Sequence, residues 1–374
     1  MMKSRKINSR TRNSLERNSY YFGGHSFTLV LSTVRAGHLV KLDSCVRAFV
    51  RRVLYLPTDC PNAYLYAAIS DGGLGVPCLR YSVPVWRAAR LTSLSTSMSP
   101  ACLAGPPGDY LQRLQERAAR GLLTADVNKF FAAKLYNSVD GLALSESAKV
   151  PKQHNWVASF NRFLSGRDFI NLVKTRINCL PTASRCARGR LSKDKMCRAG
   201  CNHKETINHI SQGCPRTHQR RVARHNAVSN YIKRGLENRG FTVFSEPVYK
   251  TPIGNRKPDL VAVKGKVAFV IDSQVVGESV ELKRANQRKI SYYRDNDTML
   301  NQIRQLHRVD EVSVIAATLN LRGCWAAKSV EDLVVKNKMM TLNDLTVIST
   351  RVLIGTFSAF TLFNKSTWRT GVRV

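Results

Sequence analysis

The sequence reads as a multidomain α plus α/β chain, with a helical first half, a small metal-binding knuckle, and an α/β core built on a mixed sheet. Three observations predict this. Apolar residues recur at helical spacing through the first half. Three cysteines and a histidine then fall within eighteen residues, 197–214. Beyond them the pattern becomes helix, three strands, helix, strand. At 374 residues, a prior of about 150 residues per domain gives two or three domains.

The elements follow in order. In residues 41–56, Leu42, Cys45, Val46, Phe49, Val50, Val53 and Leu54 share one helical face, with Arg47, Arg51 and Arg52 largely opposite. Pro57 ends that helix. Residues 71–77, DGGLGVP, are a dense breaker signal, and helical spacing resumes over 81–94. Residues 105–108 are the first plausible linker, with helices expected over 109–123 and 125–137. An amphipathic stretch over 156–177 ends in the basic, turn-rich LPTASRCARGR. Further on we expect a helix over 217–238 and strands over 241–249, 257–264 and 267–276. A long helix over 279–307, a strand over 311–319 and C-terminal helices complete the chain.

Lys and Arg number 59 against 25 Asp and Glu, a net charge of +34, while 43% of residues are hydrophobic. The apolar content excludes a disordered basic tail. The charge argues against an ordinary metabolic enzyme and for a polyanion, because clustered cations gain affinity by releasing condensed counterions. No apolar run of about 18 residues is present to span a membrane. The nearest, 352–363, is short and carries Ser and Thr. Nucleic acid is therefore the expected partner, and no membrane. Residues 185–234 hold thirteen Lys and Arg against Asp194 and Glu205, which reads as a nucleic-acid grip rather than a solvated face. Residues 1–25 are basic and Ser-rich without the apolar core of a secretory signal. They read as a disordered arm, or as the ragged start of a chain cut from something longer.

The cluster is spaced Cys197-x3-Cys201-x7-His209-x4-Cys214. Zinc takes four soft or borderline ligands in a tetrahedron, and this spacing supplies them. A segment so short and polar cannot build a core of its own, so a structural Zn²⁺ would provide folding energy, on the order of ten kcal/mol. The other cysteines are scattered, which suits a reducing compartment. His203 is the one alternative to His209 by spacing. His218 and His225 fall on the following helix, where they would contact phosphate or face solvent.

The second signal is RKPDLVAVKGKVAFVIDSQVV. Gly265-Lys266 suits a two-residue type II′ turn, with Gly at the first central position. That turn pairs Lys264 with Val267, and the register carried outward sets Asp259 opposite Asp272, with Cβ atoms about 5 Å apart. Two carboxylates face to face in an apolar hairpin repel unless a cation lies between them. A divalent ion with hard oxygen ligands, Mg²⁺ for phosphate chemistry, is the economical answer. Gln274 lies two residues beyond Asp272 on the same face and carries no charge. The next helix offers Lys283, Arg284, Arg288, Lys289 and Arg294. Lys289 shares a face with Tyr293 and is the candidate catalytic lysine.

Taken together, the CCHC spacing, Arg221, Arg224, His225 and Asn226 (RxxRHN), RKPDL and IDSQVV resemble the C-terminal part of a non-LTR retrotransposon polyprotein. The group is the R-two group, which inserts into ribosomal RNA genes and carries a restriction-like endonuclease. The segment from VRAFVRRVLYLPTDC to VPVWRAARL is similar to the polymerase thumb of that group, and GRDFINLVKTRINCLPTASRCARGR to its linker. The resemblance covers residues 30–365.

The resemblance implies a PD-(D/E)xK nuclease fold with Asp259 and Asp272 as Mg²⁺ ligands. Gln274 stands where the superfamily usually has lysine, and the lysine function passes to Lys289. A further acid from the first helix would fall near Glu237 or Glu246. The implied organisation is an arm over 1–25, a thumb-like domain over 26–105 and a helical linker over 106–190. The zinc knuckle over 191–216, the nuclease over 217–325 and a helical extension over 326–374 follow. Arg185, Arg188, Arg190, Arg221, Arg224, His225, Arg256 and Lys257 would contact nucleic acid, with target DNA and element RNA as partners and the nucleus as the place of work. A reverse transcriptase also needs a paired-aspartate palm motif, and this chain has no adjacent Asp-Asp. It is thus expected to start just before the thumb and to lack polymerase activity. The alternative is a catalytically inert relic that binds DNA or RNA through its knuckle and basic linker.

Overall fold

The computed structural model describes residues 29–30, 34–122, 126–158, 164–190 and 194–367. The basic arm lies outside the described residues. The chain divides into two compact units, one built from residues 1–68, 73–138 and 163–170, the other from 69–72, 139–162 and 171–374.

The first unit is helical. Its longer described helices, with the short α2, are α1 (Ala36–Leu54), α2 (Asn62–Tyr66), α3 (Leu79–Ser97), α4 (Pro106–Ala119) and α5 (Val127–Tyr136), and a single turn at Pro100–Leu103 lies between α3 and α4. The expected helix over 41–56 starts five residues earlier, at Ala36, and ends as Tyr55 turns left-handed at φ +50°. Asp43 sits in the middle of α1, is 2% exposed, and looks out of place there. It accepts from the backbone N–H groups of Leu79 (2.7 Å) and Arg80 (2.9 Å). An aspartate of one helix thereby satisfies the free N–H groups that open another. The breaker segment after residue 71 also has a steric reason. Leu74 N–H donates to Tyr64, Gly75 to Ala67 and Val76 to Leu65, and a Cβ on Gly73 would lie 2.0 Å from the Ala67 carbonyl oxygen. Residues 105–108 are not a link between compact units. Gly105 precedes α4, Pro106 opens it, and Gly108 lies inside it.

The second unit holds a four-stranded sheet in spatial order β1-β2-β3-β4, with β1 (Thr242–Ser245), β2 (Leu260–Lys264), β3 (Val267–Val276) and β4 (Glu311–Asn320). The first three strands are antiparallel and β4 runs parallel to β3, so the sheet is mixed as expected. A parallel partner needs a crossover, which α8 (Leu282–Arg294) and α9 (Asp297–His307) supply; α6 (Gly166–Arg176) and α7 (His218–Glu237) precede the sheet.

Alternate residues of the strands face opposite layers. Leu260, Ala262, Ile271, Ile315 and Ala317 pack with Val228, Ile232 and Leu236 of α7. Val261, Ala268 and Val270 pack with Tyr293, Met299, Leu300 and Ile303 of the crossover. Both faces are covered, which is why β2 and β3 read as continuous apolar runs.

Three expectations change. The strand over 241–249 stops at Ser245, because Glu246 turns left-handed (φ +49°) and Pro247 has no N–H to donate. The helix over 279–307 is two helices, since Asn296 leaves helical geometry and its side chain caps the N–H of Met299 at 3.0 Å. The amphipathic stretch over 156–177 is a short turn at Asn155–Val157 and then α6, with 159–163 outside the described residues.

The C-terminal helix α10 (Leu342–Thr367) is 26 residues long and contains an 18-residue stretch of mean hydropathy 1.5, long and apolar enough to cross a membrane. It is longer than the apolar run suggested because Ser, Thr and Asn lie within it. Its Leu345, Ile348 and Val352 are fully buried beside Val228 and Ile232, so its apolar face is already covered, chiefly by α7, within the core on one side of the sheet.

Candidate active site and metal centre

The carboxylate site begins with the hairpin. Gly265 adopts φ +60° at the first central position, as a type II′ turn requires. The register pairs Lys264 with Val267 and Leu260 with Ile271, so the next residues outward are Asp259 and Asp272. Asp259 Oδ2 accepts the backbone N–H of Ser273 (2.7 Å) and the Ser229 hydroxyl (3.3 Å). Its Oδ1 lies 3.1 Å from His225 Nε2. Asp272 is 3% exposed; Lys289 Nζ lies 3.0 Å from its Oδ1, and the Tyr293 hydroxyl donates to its Oδ2 at 2.5 Å. Lys289 and Tyr293 are one turn apart on α8, which aims both at the same carboxylate.

The electrostatics of the two acids diverge. Burial pushes Asp272 up, the Asp259 charge adds to this, and Lys289 and Tyr293 only partly oppose it. Burial also pushes Asp259 up, but the His225 hydrogen bond and charge, the Ser273 N–H and Lys289 bring it below the usual carboxylate range. His225 is raised, chiefly by its bond to Asp259. Tyr293 is pushed far up by burial and by Asp272, so it remains a neutral donor.

The donor set fits a hard divalent cation. Each carboxylate oxygen has two lone pairs, and Asp259 Oδ1 and both Asp272 oxygens each carry a single protein partner. A cation there would offset the burial and the Asp259 repulsion that together raise Asp272.

A cavity of about 320 Å³ opens beside this group, lined by Gln212, Arg221, Val222, Arg224, His225, Ser273, Gln274 and Val275. Gln274 is tied down, donating to the Ala285 carbonyl (3.0 Å) and to Thr318 Oγ1 (2.8 Å). It braces β3 against α8 and β4.

The knuckle also assembles. Ligand atoms of Cys197, Cys201, His209 and Cys214 all lie within 4.8 Å of one another, so the cluster can hold a metal such as zinc. The sulfurs of Cys201 and Cys214 are 3.7 Å apart, against about 3.8 Å for two thiolates each about 2.3 Å from a tetrahedral zinc. His209 Nε2 is buried without a hydrogen-bond partner, as a nitrogen reserved for a metal would be. His203 stacks on the His209 ring at 5.3 Å and bonds the Cys201 carbonyl through Nδ1 (2.7 Å). The knuckle does have a core, because Ile207, Ile210 and Cys214 pack with Leu321, Phe360 and Phe363. Glu205, fully buried, takes both Arg198 guanidinium bonds (2.8 and 3.0 Å) and the Ala183 N–H (2.8 Å).

The basic residues divide into two groups. Arg185 and Arg224, expected to contact nucleic acid, are instead buried internal braces. Arg185 is 8% exposed and pairs with Asp140 at 2.9 Å. Arg224 is 3% exposed and donates to Thr356 Oγ1 (3.0 Å) and the Ser211 carbonyl (3.2 Å). Arg188 makes a two-pronged pair with Asp140 (2.7 and 2.6 Å). Arg221 bonds His218 Nδ1 at 2.7 Å and the Gln212 carbonyl. Arg190 is exposed; Arg256 lies over the Tyr292 ring at 4.4 Å, and Lys257 pairs with Glu246. The first helix brings no acid to Asp259, since Glu237 pairs with Lys233 and Glu246 with Lys257. It brings His225 and Ser229, one turn apart.

Asp140 carries a consequence for stability. Burial raises its pKa, but the Arg188 and Arg185 bonds outweigh that and leave it depressed. A depressed carboxylate contributes stability that is present above its unfolded value near 3.9 and is lost as pH falls through the folded value. Asp140→Asn should cost about 3–5 kcal/mol, because it leaves Arg185 buried without its counter-charge. Denaturant unfolding at neutral pH checks this, and a midpoint unchanged from wild type would refute it.

The fold and these two sites define a class, an α/β core carrying a buried carboxylate pair, joined to a Cys/His knuckle. No protein-family model matches the chain. It is 40% identical over 344 residues, 90% of its length, to the retrovirus-related Pol polyprotein from type-2 retrotransposable element R2DM of Drosophila melanogaster. It is 31% identical over 345 residues to the Pol polyprotein from type-1 retrotransposable element R2 of Nasonia vitripennis. One such polyprotein of Popillia japonica matches at 30% over 343 residues, 90% of this chain and 75% of the relative. The chain spans 32% and 33% of the first two relatives. It belongs to the family of Pol polyproteins of R2 retrotransposable elements, a non-LTR retrotransposon protein.

Proposed function

We propose that the chain is a Mg²⁺-dependent DNA endonuclease that nicks target DNA, with the knuckle and the exposed basic residues holding DNA or element RNA. The observation that carries this reading is the Asp259 and Asp272 pair, set side by side by the hairpin, with Lys289 3.0 Å from Asp272.

Asp259 and Asp272 would hold Mg²⁺, which would supply Lewis-acid polarisation of a phosphate oxygen and a more acidic water. The chain's own residues do the positioning. His225, Ser229 and the Ser273 N–H fix the Asp259 carboxylate in one orientation. Tyr293 orients Asp272 without competing as an anion. Lys289 places a positive charge where negative charge develops on the attacked phosphate. Arg221, on the rim of the adjoining cavity, offers a phosphate contact along the approach.

In the setting of a Pol polyprotein, the nick would supply the 3′ hydroxyl that primes reverse transcription on the target, in the nucleus and at ribosomal RNA genes. The Asp-Asp pair of a polymerase palm is not in this sequence, so its proposed chemistry is the nuclease alone. Incubation with supercoiled plasmid should give open circles with Mg²⁺ and none without it. Salt-sensitive binding with no Mg²⁺-dependent nicking would reject this reading for that of an inert binding relic.

A further inference from the structure

Between β1 and β2 the chain makes a narrow finger. Tyr249 and Arg256 exchange backbone hydrogen bonds at 2.9 and 2.8 Å. The tip closes as Gly254 N–H donates to the Thr251 carbonyl (3.0 Å) and Thr251 Oγ1 donates to the Gly254 carbonyl (2.6 Å). Gly254 adopts φ +101°, which only glycine takes without strain.

The stem is rooted in the protein. Tyr249 is buried among Val261, Tyr293 and Ile303, and Gln302 donates to the Lys250 carbonyl at 2.7 Å. The Tyr293 hydroxyl that donates to Asp272 also lies 3.2 Å from the Lys257 carbonyl. A single hydroxyl thus spans the base of the finger and the carboxylate site.

The chemistry of the finger is unusual for a loop. Its tip, Pro252-Ile253, is apolar, and Ile253 is 69% exposed. Lys250 and Arg256 flank it, Lys257 at the base pairs with Glu246, and no acid occurs between Glu246 and Asp259. Beside the stem, the Arg256 guanidinium lies 4.4 Å over the ring of Tyr292, which is 48% exposed. A single exposed isoleucine is ordinary on a protein surface. An isoleucine held on a braced turn, with exposed Lys250 near it in sequence and Arg256 laid over a half-exposed tyrosine at the stem, has a specific complement. DNA-bending proteins insert Ile, Leu, Phe or Pro between base steps while basic residues hold the flanking phosphates. Tyr and Arg planes stack unpaired bases.

We propose that this finger is a DNA wedge, with Pro252 and Ile253 entering a base step beside the scissile phosphate and Tyr292 with Arg256 receiving the unstacked base. The proposal rests on the nuclease reading for the identity of the partner, but its test does not depend on cutting. A wedge unwinds duplex DNA, so a closed plasmid relaxed by a metal-independent topoisomerase with the chain bound should retain a shifted linking number after the protein is removed. The full chain is used in buffer without Mg²⁺ and without chelator, so that nothing is nicked and a bound zinc stays in place. Wild type and Ile253→Leu should shift the linking number in proportion to protein bound. Ile253→Ser, measured at equal plasmid retention in a gel, should lose the shift, and Tyr292→Ala should bind on the order of tenfold more weakly to a plasmid carrying a mismatch bubble. No shift by wild type, or an equal shift by Ile253→Ser, would overturn the wedge. A shift that depends on Ile253 in a chain that never nicks with Mg²⁺ would overturn the nuclease reading and leave the wedge standing.

Discussion

Asp272→Ala should lower the rate of Mg²⁺-dependent nicking by on the order of 10³-fold or more, and Asp259→Ala by a similar factor. The size follows from the electrostatic work a divalent ion does on a phosphodiester, several kcal/mol, at about 1.4 kcal/mol per tenfold in rate. The two variants should part company in stability. Asp272 is held up by burial and by its neighbour's charge, so its removal relieves a repulsion in the metal-free protein. The Tyr293 hydroxyl then keeps the Lys257 carbonyl as an acceptor, and Lys289 is part-exposed. Asp259 accepts from Ser229 and the Ser273 N–H and pairs with His225. Its removal strands those donors and should cost about 1–3 kcal/mol. Plasmid nicking and thermal unfolding measured on the same preparations separate the two effects. DNA binding should hold or tighten in both variants, since each removes a negative charge from a strongly basic protein. Nicking within tenfold of wild type in the Asp272 variant, with the protein folded, would remove the carboxylate pair from the mechanism.

The carboxylate pair was legible because a two-residue turn fixes register locally. Gly265-Lys266 sets which residues face each other, and the structure continues that register through Leu260 with Ile271. The knuckle was legible for a similar reason, its four ligands being close in sequence. What stayed hidden is carried by contacts between distant residues. His225 meets Asp259 across 34 positions and Arg185 meets Asp140 across 45, and a basic run looks the same whether its members face water or a buried acid. Asp43 likewise breaks the apolar stripe of its helix for a reason located 36 residues away. The role of α10 was missed because an apolar run reports hydrophobicity and not the partner that covers it. The break at Asn296 had a local sign, the Asp-Asn pair at 295–296, which suits a cap better than a helix interior.

Zinc removal, by chelation or by Cys214→Ser, is the other change with a large expected effect, and the structure limits how far it spreads. A four-ligand zinc contributes on the order of ten kcal/mol to the segment that binds it, more than the local contacts of residues 197–214 can replace. That segment is also joined to the rest of the second unit, through Ile207 and Ile210 against Phe360 and Phe363 and through Arg198 to Asn364 at 2.8 Å. The sheet and α7 rest on a separate apolar cluster centred on Val228, Ile232 and Val352. Loss of the metal should therefore unfold the knuckle and loosen the C-terminal turns of α10 while the sheet remains. Hydrogen exchange should show protection lost across 197–214 and near 360–367, with β2 and β3 unchanged, and elemental analysis should find one zinc per chain before chelation. Because the basic residues nearest the knuckle would then be held on an unfolded segment, DNA affinity should fall more than nicking per bound molecule does. Protection that survives chelation throughout 197–214 would mean that the apolar contacts alone hold the knuckle. The four ligands would then be dispensable to the fold, and their close approach would need another cause.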